Sequence, residues 1–266
     1  MVQLNDTQIA EVIETAQAAA DAAREVTLRY FRGSELGTSS KRADFDPVTI
    51  ADREAERVMR EIITARRPDD AILGEEHGAT DGTSGLTWVL DPIDGTRGFI
   101  SGTPTWGVLI ALRDETSALY GIVDQPYIGE RFAGGFGTAT LTGPQGVCDL
   151  GTKTNTDLGE ALIFSTFPEV GTKADAKAFQ ALATQCKLTR YGMDCYAYAL
   201  LAAGQIDLVV EAGLQSYDIL GPLAVIEAAG GIVTDWQGGS AMDGGRVIAA
   251  ANAEIHAKAL EILSEY

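Results

Sequence analysis

The sequence predicts an α+β protein in which one chain forms two halves, each combining helices with strands. Three patterns support this prediction: helical periodicity near the beginning, short strand-like runs in the middle, and alternating strands and helices towards the end. A turn-rich stretch, TGPQGVCDLGTKTNTDLG, separates the last two patterns. We therefore expect an N-terminal α+β domain at residues 1–150 and a C-terminal α/β domain at residues 151–266.

Two helices are expected in the first half. The segment DTQIAEVIETAQAAADAAREVTLRYF is a long amphipathic helix that ends before Gly33. Its apolar stripe consists of Ile9, Val12, Ile13, Ala16, Ala20 and Ala23. The polar stretch SELGTSSKRADFD predicts a loop. Helical periodicity then resumes in TIADREAERVMREIITARRP and stops before Pro68, because the residue before a proline disfavours the helical conformation.

The strands follow in two groups. The short β-like runs TWVL, WGVLIALRD, ALYGIVDQP and ERFAGGF are separated by Gly, Pro and charged residues, which predicts a largely antiparallel sheet. In the second half we expect strands at ALIFST, IDLVVEAG, GIVTDW and RVIAAAN. Helices are expected from about Lys173 to Cys186, at MDCYAYALLAAG, after Asp218, and at AEIHAKALEILSEY.

Composition excludes several classes of function. The chain has 266 residues, 38 of them acidic and 20 basic, with a formal net charge of -18. Such a chain has no electrostatic footprint for nucleic acid and is repelled by anionic lipid. An anionic substrate would therefore need local positive charge, such as a metal ion, to approach it.

The cysteines and the apolar runs bear on the compartment. Cys148, Cys186 and Cys195 are an odd set without C-x-x-C spacing, so neither a disulfide framework nor a zinc site is indicated. The first residues carry acid where a signal peptide has a basic region, and no apolar run approaches membrane-spanning length. We expect a reduced, cytoplasmic protein.

The stretch WVLDPIDGTRGFI carries the strongest chemical signal. Asp91 and Asp94 are three residues apart and would point to opposite faces of a regular strand, so their carboxylates can converge only if the chain turns. Asp91 followed by Pro92 fits a type I turn. Gly95 and Thr96 would then open a helix whose free N–H groups face an anion. Two carboxylates beside such amides predict a divalent metal pair acting on a phosphate ester, with a plain surface turn as the alternative.

Other acids follow probable strand ends or open helices. Glu75 and Glu76 in ILGEEHG come directly after a short apolar run, where they are metal ligands or a solvated loop. Glu211 ends the strand VVEAG, as an edge charge or a substrate contact.

Two further acids have an ordinary helical explanation. Thr49 and Asp52 have the spacing of a capping box, with Asp52 reaching back to the N-cap. Asp218 stands at a helix start, because Pro222 is tolerated only near the first turn, and an acid there interacts well with the helix dipole.

Taken together, these segments have a family pattern. The order D-P-V-T-x-A-D, G-E-E, W-V-L-D-P-I-D-G-T and E-x-G-L-x-x-Y-D, from about Asp46 to Trp236, resembles the inositol monophosphatase superfamily of magnesium-dependent, lithium-sensitive phosphatases. The resemblance implies a layered α-β-α-β-α sandwich with the active site between its halves. It also implies two or three Mg²⁺ ions, a small phosphate monoester as substrate, and a homodimer.

The resemblance assigns roles residue by residue. The implied metal ligands are Glu75, Asp91, the backbone carbonyl of Ile93, Asp94 and Asp218. The attacking water is implied to be positioned by the hydroxyl of Thr96, which Asp52 orients, while Glu76 gives further support. The phosphate is implied to lie on the amides of Gly95 and Thr96.

Substrate choice depends on the second half. The segments YGMDCYAYALLAAGQIDLVVEAG and DGTRGFISGTPTWGVLIAL look more like the histidinol-phosphate phosphatase branch than the inositol branch. Histidinol carries an ammonium group and a protonatable imidazole, so Asp194 and Glu211 could pair with both charges. Tyr196 or Trp106 could contact the ring. The alternative for Asp194 is a helix cap.

Three alternatives stay open. Inositol 1-phosphate or another small sugar phosphate is one, and 3'-phosphoadenosine 5'-phosphate is disfavoured because there is no basic cluster for a second phosphate. A catalytically silent, metal-stabilised interaction protein is the alternative from another class. The chain has two histidines, His77 and His256, and this small number argues against a phosphohistidine route. His256 is expected at the surface.

Overall fold

The structure is a computed structural model that describes residues 2–33, 39–40 and 47–266, with no side-chain description for residues 39–40 and 47–48. The predicted loop SELGTSSKRADFD lies mostly outside the described residues, as does Asp46 of the first motif.

The predicted helices and strands are present, with shifted bounds. The helices are α1 Asp6–Tyr30, α2 Ile50–Arg66, α3 Thr96–Ser101, α4 Lys173–Ala183, α5 Cys195–Ala202, α6 Ser216–Ala228 and α7 Ala253–Leu263, with a 3₁₀ turn at Leu158–Glu160. The strands of the first half are β1 Ser39–Ser40, β2 Pro47–Val48, β3 Ala71–Gly74, β4 Gly78–Thr80, β5 Thr87–Asp94, β6 Gly107–Arg113, β7 Ala118–Gln125, β8 Glu130–Gly135, β9 Thr138–Gly143 and β10 Gly146–Asp149. Those of the second half are β11 Leu162–Ser165, β12 Leu188–Tyr191, β13 Leu208–Leu214, β14 Ile232–Asp235 and β15 Gly245–Ala250.

The first large sheet has the order β10-β9-β8-β7-β6-β5-β3-β4. Its pairs are antiparallel except for β3 with β5, which confirms the prediction of a largely antiparallel sheet. The parallel pair matters for the site, because Gly74 at the end of β3 pairs with Leu90 in β5. The residues that follow each strand therefore emerge at the same edge of the sheet.

The second sheet is mixed, with the order β12-β11-β13-β15-β14. The strand β11 is parallel to both of its neighbours, whereas β15 is antiparallel to β13 and β14. The strand β13 lies at the centre of the sheet. The prediction that Glu211 ends this strand was wrong, because β13 continues to Leu214 and Glu211 is its middle residue.

Three apolar clusters define five layers. One packs α1 and α2 against the first sheet, through residues such as Ala16, Met59 and Trp88. A second fills the space between the two sheets and contains α5 and α6. The third packs α4 and α7 on the far side of the second sheet, around Phe179 and Ile255. The architecture is therefore the α-β-α-β-α sandwich that the resemblance implied.

The central layer joins the two halves of the chain. The helix α6, from the second half, packs closely on β7 and β8 because these strands carry glycines beneath it. A Cβ atom on Gly121 would collide with the carbonyl of Gly221 and lie 2.9 Å from Ala224, and one on Gly134 would lie 2.7 Å from the Cα of Val225. Because the two glycines have no side chain, α6 lies directly against the first sheet, and this close contact fixes its position.

The start of α6 differs from expectation. The helix begins at Ser216, ahead of Asp218, so Pro222 lies inside the helix rather than in its first turn. Gln215 is the N-cap residue, and its backbone N–H donates to the Asp218 carboxylate at 2.7 Å. Asp218 therefore completes a capping box at this helix start.

Candidate active site

The two aspartates of the WVLDPID motif converge through a bulge in a strand. Asp91 pairs with Leu109 and Asp94 with Gly107, so β5 advances three residues while β6 advances two. The prediction of a type I turn was wrong, because the segment stays within β5 and the extra residue reverses the facing of the side chains. The backbone N–H of Ile93 donates to Asp91 Oδ1 at 3.0 Å and stabilises this conformation.

Three carboxylates meet at this strand end. Ligand atoms of Asp91, Asp94 and Asp218 lie within 4.8 Å of one another. The first two come from β5 in the first half, and the third comes from the capped start of α6. Glu75 follows β3, and its backbone N–H donates to the carbonyl of Leu90 at 3.2 Å, which places it beside the same strand end. Four of the five predicted metal-ligating residues are thereby gathered around one point, and Ile93, the fifth, lies between the two aspartates.

The electrostatics of this cluster call for a cation. Burial raises the pKa of Asp91 well above its ordinary value, and the charges of Glu75, Asp94 and Asp218 raise it further. Burial also raises the pKa of Asp94, together with the charges of Asp218 and Asp194. Like charges held this closely in a buried place are unfavourable unless a positive ion lies between them. Oxygen ligands of this kind fit a hard divalent cation such as Mg²⁺.

The short helix α3 begins at this edge. Gly95 is its N-cap residue with a φ of 82°, a conformation that favours glycine, and a Cβ there would lie 2.8 Å from the side chain of Asp194. The Thr96 hydroxyl donates to the carbonyl of Ile93 at 3.1 Å. Gly95 and Thr96 both line the cavity that opens from the carboxylate cluster.

Asp52 and Thr96 do not contact each other by a hydrogen bond within the described part of the chain. Asp52 Oδ2 instead accepts bonds from the backbone and the hydroxyl of Thr49, at 2.9 and 2.5 Å, so the predicted capping box is confirmed. Burial raises the pKa of Asp52 to about 7, and the charges of Glu76 and Glu75 add to the effect. The role of Asp52 in orienting Thr96 stays a prediction.

Glu56 is a buried acid that the sequence did not single out. Its carboxylate accepts bonds from the backbone N–H groups of Glu76 at 2.6 Å and His77 at 3.1 Å, and it pairs with Arg60 at 2.7 Å. Glu56 therefore holds the segment that carries Glu75. The Glu76 side chain lies 3.9 Å from the guanidinium of Arg53. An acid on the inner face of α2 was the available signal, since buried acids usually bind something specific.

A cavity of about 300 Å³ extends from the carboxylate cluster to the end of β13. Its lining includes Asp94, Gly95, Thr96, Arg97, Thr166, Phe167, Asp194, Tyr198, Glu211 and Asp218. This volume lies at the lower end of the range for ligand sites, which suits a small molecule.

The two predicted substrate-binding acids both line this cavity. Glu211 is 7% exposed and accepts bonds from the backbone and the hydroxyl of Thr166, at 2.7 and 2.8 Å, while burial raises the pKa of Glu211 to about 7. Asp194 accepts a bond from the Thr105 hydroxyl at 3.1 Å, and burial raises the pKa of Asp194. Asp194 makes no side-chain cap bond to α5, so the alternative that it caps this helix is wrong.

The two aromatic residues predicted to contact a substrate ring, Trp106 and Tyr196, do not line the cavity. Trp106 is fully buried and packs against Phe31 and Phe99, away from the cavity. The Tyr196 hydroxyl donates to Glu130 at 2.8 Å, and Tyr196 does not line the cavity either. The expectation that one of them contacts a substrate ring is therefore wrong.

Other aromatic residues lie at the cavity instead. Phe167, 44% exposed, lies 5.1 Å from the guanidinium carbon of Arg97. Tyr198 lies one helical turn after Asp194, and this i, i+4 spacing was the signal that could have identified it. His256, expected at the surface, is 9% exposed, and its Nε2 lies 2.8 Å from the Thr234 hydroxyl.

A model of the inositol monophosphatase family matches residues 8–266, and the chain belongs to this family. The chain is 40% identical over 272 residues to the chloroplastic bifunctional phosphatase IMPL2 of Arabidopsis thaliana, covering 98% of this chain and 77% of that one. It is 33% identical over 242 residues to a histidinol-phosphatase of Chlorobaculum parvum, covering 91% and 92%. An inositol monophosphatase structure from Zymomonas mobilis superposes with a TM-score of 0.85 at 37% identity, covering 96% and 98%.

The family and these relatives indicate a phosphatase that hydrolyses phosphate monoesters. The names of these relatives differ in the substrate they state: one is a histidinol-phosphatase, one an inositol monophosphatase and one a bifunctional phosphatase. In the part of the chain that the structure describes, no helix has the length and apolarity needed to cross a membrane.

Proposed function

We propose that this protein is a Mg²⁺-dependent phosphatase that hydrolyses L-histidinol phosphate to L-histidinol, a reaction of histidine biosynthesis. One observation carries the proposal: the buried Glu211 and the half-buried Asp194 line the same cavity as Asp94 and Asp218 of the carboxylate cluster. A phosphate ester whose organic part is cationic matches a site with metal ligands at one end and further acids beside them.

The metal site uses residues from both halves of the chain. Mg²⁺ would be held by the carboxylates of Glu75, Asp91, Asp94 and Asp218 and by the carbonyl of Ile93. When bound, it supplies the positive charge that draws in the phosphate and the Lewis acidity that activates the attacking water. The net charge of -18 makes this local charge necessary for an anionic substrate.

The residues beside the cluster position the reacting groups. Gly95 and Thr96 offer backbone N–H groups to the phosphate at the edge of the cavity. The Thr96 hydroxyl, which now donates to Ile93, orients the attacking water, and Asp52 supports it from the start of α2. Glu76 supports the metal ligands from the segment after β3, which Glu56 holds in place through the Glu76 backbone N–H.

The charged wall of the cavity selects the substrate. Glu211 keeps its acceptor bonds from Thr166, and a substrate ammonium beside it would favour its ionised form, because an opposite charge lowers a carboxyl pKa. Asp194 offers a second carboxylate for the imidazole. A neutral polyol gains hydrogen bonds there but no charge pairing. The relatives named histidinol-phosphatase support this choice.

Inositol 1-phosphate, or another small sugar phosphate, is the second candidate. The likeness to the Zymomonas mobilis inositol monophosphatase favours it. The test is phosphate release with Mg²⁺ from L-histidinol phosphate and from inositol 1-phosphate, measured in parallel as kcat/KM. We expect a strong preference for L-histidinol phosphate. Equal slow turnover of both, or preference for the inositol ester, would overturn the histidinol proposal.

The alternative of a silent interaction protein predicts no turnover of any ester in this assay. A homodimer, sensitivity to Li⁺, the cytoplasmic location and the domain division at residue 150 belong to the same proposal. The number of Mg²⁺ ions, two or three, is part of it as well.

A further inference from the structure

Tyr198 carries a buried hydroxyl without a hydrogen-bond partner. The residue lies on α5 and is 4% exposed, and no donor or acceptor among the described residues binds its hydroxyl oxygen. A phenol can donate one hydrogen bond and accept others, and leaving it buried without any is costly. Such a group in a native protein needs an explanation, and a bound molecule that supplies the missing partner is one.

The unpartnered hydroxyl belongs to a residue of the cavity wall. Tyr198 lines the cavity together with Asp94 and Asp218 from the carboxylate cluster and Glu211 from β13. Burial raises the pKa of Tyr198 well above its ordinary value, and the charges of Glu211, Asp94 and Asp218 raise it further. The group therefore stays a neutral hydroxyl in ordinary buffers.

Among the described residues, three other buried polar atoms have no hydrogen-bond partner, and all three lie elsewhere. They are Trp106 Nε1, Gln125 Oε1 and Arg131 Nη2, and none of these residues lines the cavity. The last of them takes part in an ion pair. The neighbouring Tyr196 has its hydroxyl bound to Glu130 at 2.8 Å. The combination of an unsatisfied hydroxyl and a place on the cavity wall distinguishes Tyr198 from these residues.

We propose that the Tyr198 hydroxyl binds the organic part of the substrate beside Glu211, and that it selects for phosphate esters with a polar or cationic group at that place. This inference rests on the proposed phosphatase function. With an ammonium-bearing substrate, the phenol oxygen accepts an N–H bond while Glu211 supplies the opposite charge. The carboxylate cluster would serve the phosphate group through its metal ions, and Tyr198 binds the organic group that the phosphate esterifies.

The test compares Tyr198→Phe with the wild type on two esters. L-Histidinol phosphate has polar groups in its organic part, whereas phenyl phosphate has none. We expect kcat/KM for L-histidinol phosphate to fall about 10-fold, because one buried bond to a charged group is lost, and kcat/KM for phenyl phosphate to stay within about 2-fold. An equal loss on both esters, or no loss on either, would overturn the proposal.

Binding and stability give readouts that do not depend on turnover. Calorimetric binding of L-histidinol to the Mg²⁺-loaded protein should weaken by a similar factor in Tyr198→Phe. The Tm of this variant should stay equal or rise, since the deleted hydroxyl makes no bond in the free protein. Tyr196→Phe is the matched control: it removes a bonded hydroxyl outside the cavity, so it should lower the Tm and leave the preference between the esters unchanged. A lower Tm for Tyr198→Phe with unchanged L-histidinol binding would contradict the proposal.

Failure of the histidinol assignment would look different. If the wild type prefers inositol 1-phosphate, that ester replaces L-histidinol phosphate in the comparison with phenyl phosphate. A loss confined to the inositol ester then supports the role of Tyr198, and a loss shared with phenyl phosphate overturns it.

Discussion

Asp94 Oδ2 accepts a hydrogen bond of 2.7 Å from the backbone N–H of Cys195. Asp94 ends a strand of the first sheet, and Cys195 is the first residue of α5 in the second half. A residue of the carboxylate cluster is therefore tied directly to the helix that carries Tyr198. This bond links the geometry of the carboxylate cluster to that of the cavity beside it.

Substitution of Asp94 should separate metal binding from folding. Asp94→Asn keeps an oxygen for the Cys195 N–H but removes one charge from a partly buried acidic cluster. Without Mg²⁺ we expect a higher Tm than for the wild type, since like charges no longer repel. With Mg²⁺ the wild type should gain stability by mass action and the variant much less.

The same variant tests the chemistry. Turnover should fall by at least about 100-fold because a metal ligand is lost. Thermal unfolding with EDTA and with saturating Mg²⁺, together with phosphate release, measures both effects. Asp243→Asn changes a carboxylate that is 98% exposed and serves as the control. Equal Mg²⁺ stabilisation of Asp94→Asn and the wild type would refute the assignment of Asp94 as a ligand.

Glu211 should make stability depend on pH in a defined window. Burial raises the pKa of Glu211 to about 7 in the folded protein from its ordinary value of 4.5, so between these pH values the unfolded chain has lost a proton that the folded chain retains. Stability from this group is fully present below pH 4.5 and is lost as the pH rises to about 7. Over this pH range the group's contribution to the free energy of unfolding should fall by about 3 kcal/mol.

Glu211→Gln should flatten this slope. The amide can still accept a bond from Thr166, and it has no proton to lose. Urea unfolding between pH 4.5 and 8 with EDTA present measures the difference between the two curves. Glu261→Gln, at an exposed position of α7, is the control. Parallel curves for Glu211→Gln and the wild type would show that the Glu211 pKa is not raised.

The close packing of α6 can be tested at Gly121. Gly121→Ala places a Cβ against the backbone of Gly221, which should cost about 1–3 kcal/mol and displace the helix that carries Asp218. We expect a lower Tm and weaker stabilisation by Mg²⁺. Gly151→Ala is the control, because a Cβ there meets no atom within 4 Å. A Gly121→Ala protein with the stability of the wild type would mean that α6 does not pack as described.

The three cysteines should differ in reactivity. Cys148 is exposed, whereas burial raises the pKa of Cys186 to about 11 and that of Cys195 well above its ordinary value. Because the thiolate is the reactive form, we expect one rapid equivalent of thiol reagent in the native protein and three after unfolding. Cys148→Ser should remove the rapid phase. A rapid phase that survives this substitution would place another thiol at the surface.

Local patterns predicted most of the elements. Apolar spacing identified α1 and α2, and the capping box at Thr49 and Asp52 has the predicted bonds. Such features depend on residues a few positions apart, which the sequence displays directly. The bulge in β5 was mistaken for a turn, because a bulge depends on the register with β6, and the sequence of β5 does not contain that register.

The candidate site divides in the same way. The residue types and their order identified the acidic cluster and the family. Carboxylates bind cations because of their residue type, and the sequence shows residue type directly. The family resemblance implied that Asp218 joins Asp91 and Asp94, and the tertiary structure shows that α6 brings its carboxylate to within 4.8 Å of theirs. Tertiary structure alone decided that Tyr198 rather than Tyr196 or Trp106 lines the cavity. These facts depend on how far α6 approaches the glycines of the first sheet and on the rotation of α5 about its axis. Contacts between distant segments set both, and no local stretch of sequence encodes them.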